Sequence, residues 1–265
     1  PTLTSNALSG NTADYGGGMY VSDHSNPMMT NNTLIENHAS SDGGGMFLVS
    51  SSPQMMDNVF HGNQAMQGGG MYLSASDPVM VHNTLSGNHA ASGGGGMFIN
   101  YLSSPILTGN TLIGNTAAGE GGGMYVLISS PTLISNTLSA NTASTGGGMF
   151  LGGGRPILNN NILSGNQANI DGGGMYLDGG QSTLTNNTLS GNQATNNGGG
   201  MCMNHNSWPT LTNCIVWGNA ASAGPGIWLI SGTPTVKHSN IQGGWPGTNN
   251  LDTDPLFADA AAGDF

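Results

Sequence analysis

Apolar and polar residues alternate in short runs along nearly the whole chain, and each run is closed by Pro, Asn or Gly. In "PTLTSN" Leu3 stands between two threonines, and in "GGGMYV" Met19 and Val21 flank Tyr20. A period of two is that of a half-buried strand, whose successive side chains point to opposite faces. The Pro, Asn and Gly between runs supply the turns. No 3.6-residue period is present, and 46 glycines argue further against helix.

The runs recur in a fixed order. The phrase "GGGM", followed in seven copies by an aromatic and an aliphatic residue and in the eighth by Cys202 and Met203, places Met at 19, 46, 71, 97, 124, 149, 175 and 201, with Ile227 in a diluted copy, "GPGIWL". Short strands repeating about every 26 residues cannot each bury a face alone and must stack on their counterparts. The pattern therefore predicts an all-β fold, a parallel β-helix (β-solenoid) of about nine to ten coils over residues 1–242, with an irregular segment at 243–265. At about 4.8 Å per rung the rod would be roughly 45 to 50 Å long.

Two further inward ladders are expected. One runs from Leu3 through Met29, Met55 and Met80 to Val236, the other from Leu8 through Leu34 and Phe60 to Ile241. Met suits an irregular bore; a copper-binding methionine array is the competing reading of the Met column. Two Asn columns accompany these ladders. The first holds Asn6, Asn32, Asn58, Asn83, Asn110, Asn136, Asn161 and Asn187, then Cys214 and Ser239. The second holds Asn11, Asn37, Asn63, Asn88, Asn115, Asn141, Asn166, Asn192 and Asn219. Asn tolerates turn dihedrals, and stacked amides donate and accept up a column, so both read as structural asparagine ladders.

Between Met and the aliphatic residue stands a column of rings: Tyr20, Phe47, Tyr72, Phe98, Tyr125, Phe150, Tyr176, then Cys202 and Trp228. Strand alternation points it outward. Three readings follow: rings that stack and shield one another, an interface stripe of several hundred Å² for another protein, or a platform for carbohydrate.

Charge narrows the choice of partners. Charged residues are 6% of the chain, and 13 acids against Arg155 and Lys237 give a net charge of −11. That leaves no basic footprint for nucleic acid. No apolar run approaches the roughly 20 residues of a membrane span. The chain begins in phase on a repeat, without signal peptide or initiator Met, as a processed or trimmed segment would. With so few basic residues, trypsin would find almost nothing to cut, which suits an extracellular material.

Candidate chemistry is sparse. Asp14, Asp42, Asp57, Glu120, Asp171 and Asp178 are spread over coils and columns, without paired carboxylates on neighbouring rungs for acid–base work. Asp252, Asp254 and Asp259 are either turn formers around Pro255 or oxygen donors to calcium. His38 and His89 share an outward position two coils apart, about 10 Å, too far to share one ion. Cys202 and Cys214 occupy repeat positions and are too few for a disulfide framework. Catalytic residues, metal ligands and cofactors are therefore not assigned.

"FHGN" at Phe60–Asn63 and the many "LSGN" copies resemble the FxxN motif, and "GGGM" the GGA[ILV] motif, of the polymorphic outer membrane protein repeats of chlamydiae. The wider phrase, from "PTLT" through "LSGN" to "GGGMY", is similar to bacterial secreted proteins with right-handed parallel β-helix repeats. The resemblance covers about residues 1–242 and implies right-handed winding and a secreted or cell-surface location, often as adhesin or passenger stalk. The tail with "DPLF" looks like the segment that closes such helices, where more chain usually follows.

The expected function is that of a non-catalytic, extracellular structural protein that self-associates laterally or end to end as a surface or filament component. The first coil, beginning directly at "PTLTSN", would leave strand edges open to another chain. An adhesin stalk binding a receptor or glycan is the alternative, and a polysaccharide lyase or hydrolase a further one.

Overall fold

The computed structural model of the chain describes residues 1–259. A coil contributes up to four short strands; in the second coil these are Met28–Thr30, Thr33–Ile35, His38–Ala39 and Met46–Val49. Each pairs in parallel and in register with its counterparts one coil away, so that Met71 lies beside Met46 and Met97. Four parallel sheets of ten, ten, eight and nine strands result, and no described residue is helical. This is the all-β solenoid the repeat predicts, about nine coils and a partial tenth.

The bore is lined by the ladders read from the sequence. Met29, Met55 and Met80 of the first sheet, Leu34, Phe60 and Leu85 of the second, and Met46, Leu48, Met71 and Leu73 of the fourth are essentially inaccessible and form one continuous core. The methionines of the fourth-sheet column are thus packing groups among Leu, Ile and Phe. The third sheet uses two-residue strands and contributes a line of buried alanines, Ala90, Ala117 and Ala143.

The glycine triplet follows from the narrowness of the coil. Gly43 has φ +68°, a conformation that costs glycine nothing. Gly44 is held by contact on two sides. A Cβ there would lie 2.4 Å from the carbonyl oxygens of both Gln64 and Gly69. Backbone therefore packs on backbone at this corner, and only hydrogen fits between.

Turn dihedrals fall differently from the expectation for Asn. The ladder asparagines do not adopt positive φ; the residue before each of them does, as at Ser5 (55°), Asn31 (55°), Glu36 (51°) and Gly87 (59°). The left-handed residue swings the chain round the corner and turns the following Asn side chain inward, where its amide is needed.

Beyond Ile241 the chain folds back over the last coil. The Leu251 amide donates to Ser239 O (2.8 Å) and the Ile241 amide to Leu251 O (2.9 Å), while Trp245 packs against the end of the core. Among the described residues the last coil is therefore covered by a folded segment. Residues 260–265, the last part of the irregular segment expected at 243–265, lie outside the described residues.

Candidate functional site

Inside each asparagine ladder every polar group is used. Oδ1 of Asn63 accepts two bonds from Asn37, from its backbone N–H (3.0 Å) and from Nδ2 (3.0 Å). Nδ2 of Asn63 donates to Oδ1 of Asn88 (3.0 Å) and to Leu34 O in the preceding coil (2.9 Å). The same set recurs along both columns, so a buried amide with two donors and two acceptor sites is fully satisfied. The ladders also have built terminators. Gln242 Oε1 accepts the Asn219 backbone N–H (3.0 Å) at the end of one. Asn250 closes the other, accepting from the Ser239 N–H (3.1 Å) and donating to Val236 O (3.0 Å). The two Cys sit in repeat positions as free, buried thiols, Cys202 in the ring column and Cys214 in the first Asn column. Burial pushes the Cys202 thiol up to about 12 and raises that of Cys214.

The ring column corrects one expectation. It does stand outside the bore, yet Phe47, Tyr72, Phe98, Phe150 and Tyr176 are only 3–8% exposed and Tyr125 is half-buried. Two effects hide them. Rings stack face to face from Tyr20 to Phe98 at centroid spacings of 5.1–5.2 Å, and Phe150 on Tyr176 at 5.3 Å. Chain before the first glycine triplet also flanks the column, where Tyr15 lies edge-on to Phe47 at 5.3 Å. Tyr125 breaks the stack, standing edge-on at 71° to Phe98 and 85° to Phe150. The extra glycine at Gly93 makes this possible, since a Cβ there would lie 2.6 Å from the Tyr125 ring. The column is a second buried ladder, and only its ends, Tyr20 (52%) and Trp228 (37%), offer large apolar surface to a partner.

The acidic residues are more ordered than the sequence suggested, without converging. Asp42, Glu120 and Asp171 occupy one column, as their pairings with Gln67, Thr145 and Asn197 show. They are three and two coils apart, about 14 and 10 Å, beyond the roughly 5–9.5 Å that separates glycosidase carboxylates. Burial raises the pKa of Asp42. In the tail, Asp252 accepts the Gly243 N–H (3.0 Å) and Asp254 the Leu256 N–H (2.9 Å), which is turn chemistry. His38 and His89 are both exposed and flank Gln64 on either side in the third sheet. No three His, Cys, Asp or Glu side chains come together among the described residues.

One surface was not singled out from sequence. The outward positions of the first sheet, flanking the inward Leu3 column, are uncharged on nine successive strands, from Thr2 and Thr4 to Thr210 and Thr212. Within this face Met28, Met56, Val79, Ile106 and Ile157 are 40–51% exposed. The aligned columns carry that signal, at the positions either side of the Leu3 column.

A family model described as a right handed beta helix region matches residues 1–112 and 95–242. No curated protein and no solved structure matches the chain. Together the two segments span the stacked coils, and the chain belongs to the right-handed β-helix family.

Proposed function

We propose that the protein is a non-catalytic, extracellular structural rod that associates with its own kind side by side. The observation that carries this reading is the uncharged, partly aliphatic outer face of the first sheet. Nine rungs by a three-residue strand make about 43 by 10 Å, or roughly 430 Å². Seven of its 18 outward positions are Met, Val or Ile and the rest Thr, Gln or Asn, so its apolar part lies below the few hundred Å² that a monomer ordinarily leaves uncovered. The whole face is only half of the roughly 800 Å² per partner of a stable interface. Association through this face alone is therefore weak and concentration-dependent, and gains strength when one rod meets several neighbours.

Support for the surface location comes from the similarity of the FxxN-like and GGA-like phrases to chlamydial surface-protein repeats. The scarcity of tryptic sites points the same way. Sedimentation velocity at nanomolar and high micromolar concentration tests the association. The expected result is a monomer when dilute and oligomers when concentrated. Replacing Val79, Ile106 and Ile157 by Thr should abolish the oligomers without loss of fold; oligomers that persist in this variant would remove the proposed face.

The second reading, a stalk that carries a recognition site for a receptor or glycan, is favoured by a separate feature of the corner after the fourth strand.

A further inference from the structure

The residue just before the Pro column, which holds Ser182 in the eighth coil, stands at the corner between the fourth and first sheets. On three successive rungs this position holds Arg155, Gln181 and Trp208, linked by the Gln181 amide donating to Gly154 O (3.0 Å) and the Trp208 amide to Gly180 O (3.0 Å). Immediately before Arg155 and Gln181 stand glycine pairs, Gly153–Gly154 and Gly179–Gly180, all with φ between +71° and +77°. The rungs on either side carry side chains there: the exposed Ile128 with Ser129 before, and His205 and Asn206 after. The second glycine of each pair is fixed by contact, since a Cβ on Gly154 would lie 2.0 Å from Ser129 O and one on Gly180 2.7 Å from Gly154 O, whereas nothing lies within 4 Å of a Cβ on Gly153. The pairs leave a floor without side chains two rungs long.

The resulting open groove measures about 310 Å³, the lower end of the range of small-ligand sites, roughly 300–1,000 Å³. Its groups are of complementary kinds. Trp208, 56% exposed, offers a flat apolar ring. Gln181 and Asn206 offer amides that both donate and accept. Arg155 is one of two basic side chains in a chain of net charge −11, yet it makes no salt bridge among the described residues. The nearby carboxylate of Asp178 is instead bound to His205, which also lines the cleft.

We propose that this cleft binds a terminal sugar residue bearing a single carboxylate. The guanidinium fork matches a carboxylate with two parallel hydrogen bonds. Trp208 presents its face to the apolar C–H side of a pyranose, and the amides meet its hydroxyls. Arg155 and Trp208 stand two rungs apart, about 10 Å, with Gln181 on the rung between them, so a ring laid along the groove would rest over Gln181 and reach both. The surrounding charge selects against a polyanionic chain, so the ligand is an acidic residue ending an otherwise neutral glycan. This site does not depend on whether the rods self-associate.

The test is a titration of the full chain, followed by tryptophan fluorescence and by ligand-observed NMR, with a neutral disaccharide capped by one glucuronic acid and with the methyl ester of that trisaccharide. The acid should bind about tenfold more tightly than the ester, the loss expected for one charge-assisted hydrogen-bonded pair. Arg155→Gln should bring acid and ester to equal affinity, whereas Trp208→Ala should weaken both ligands and keep the acid the tighter of the two. Circular dichroism checks that both variants keep the fold. Equal binding of acid and ester by the natural chain, absence of saturable binding to either, or an acid affinity untouched by Arg155→Gln would each overturn the proposal. Sedimentation of the same samples reads self-association separately, so failure of one reading is not mistaken for failure of the other.

Discussion

Asn88 and Asn115 meet across one rung as donor and acceptor. Nδ2 of Asn88 lies 2.9 Å from Oδ1 of Asn115, and the Asn88 backbone N–H lies 3.0 Å from the same oxygen. Each ladder Asn thus holds both the side chain and the main chain of its predecessor.

Replacing such a residue strands its neighbours. In Asn88→Ala the N–H and Nδ2 of Asn63 lose their shared acceptor and Phe60 O loses a donor. With about 1–3 kcal/mol for each buried group left unmet, denaturant unfolding should show a loss of about 2–5 kcal/mol. Asn6→Ala, at an exposed position, should cost less than about 1 kcal/mol.

Glycine positions should divide by what surrounds them. Gly44→Ala drives a methyl into two carbonyl oxygens at 2.4 Å and should cost more than about 4 kcal/mol or prevent folding. Gly114 also has positive φ, +63°, but nothing lies within 4 Å of its Cβ direction. Gly114→Asn should cost less than about 1 kcal/mol, because Asn tolerates that conformation. Expression yield and thermal midpoints of the two variants make the comparison.

The ring column should respond to truncation as a core does. Phe98, 3% exposed and packed between Tyr72 and Tyr125, should lose about 3–5 kcal/mol on replacement by Ala. Tyr20→Ser, at the open end, should lose less than about 1 kcal/mol. Near-ultraviolet circular dichroism should change for the Phe98 variant, and the oligomer distribution should change for neither.

Alkaline pH should destabilise the fold. The buried Cys202 thiol retains its proton up to about 12, whereas an unfolded thiol releases it near 9.0. Above that lower value the unfolded state binds fewer protons, so stability falls as pH rises. Burial also raises Tyr72, Tyr125 and Tyr176, which act in the same direction. Unfolding free energies measured from pH 8 to 11 should decline steadily, and native Cys202 should resist thiol reagents at pH 8.

The coil architecture was legible because a solenoid writes its contacts into sequence spacing: residues 25 to 27 apart are neighbours, so aligned columns are spatial ladders. The bore and the Asn ladders could be read directly for that reason. Alternation tells which side of the strand a ring leaves, but not what lies over it. The loop that flanks Phe47 and the neighbouring coils that sandwich it come from the path of the chain between strands, so burial of the rings was hidden. Arg155, Gln181 and Trp208 were equally hard to see, because the cleft is defined by what Gly153–Gly154 and Gly179–Gly180 lack. Asn250 lies only 11 residues from Ser239, off the repeat period, and its role as terminator appears only once the tail folds back.

The uniform bonding between rungs makes the coil a unit of length. Since each coil passes on the same donors and acceptors it received, removing or duplicating one whole period of about 26 residues would rejoin matching partners. Copy number then acts as a ruler, moving the Arg155 cleft and the covered end relative to one another in steps of about 4.8 Å. Reach can change in this way without any new contact having to be invented.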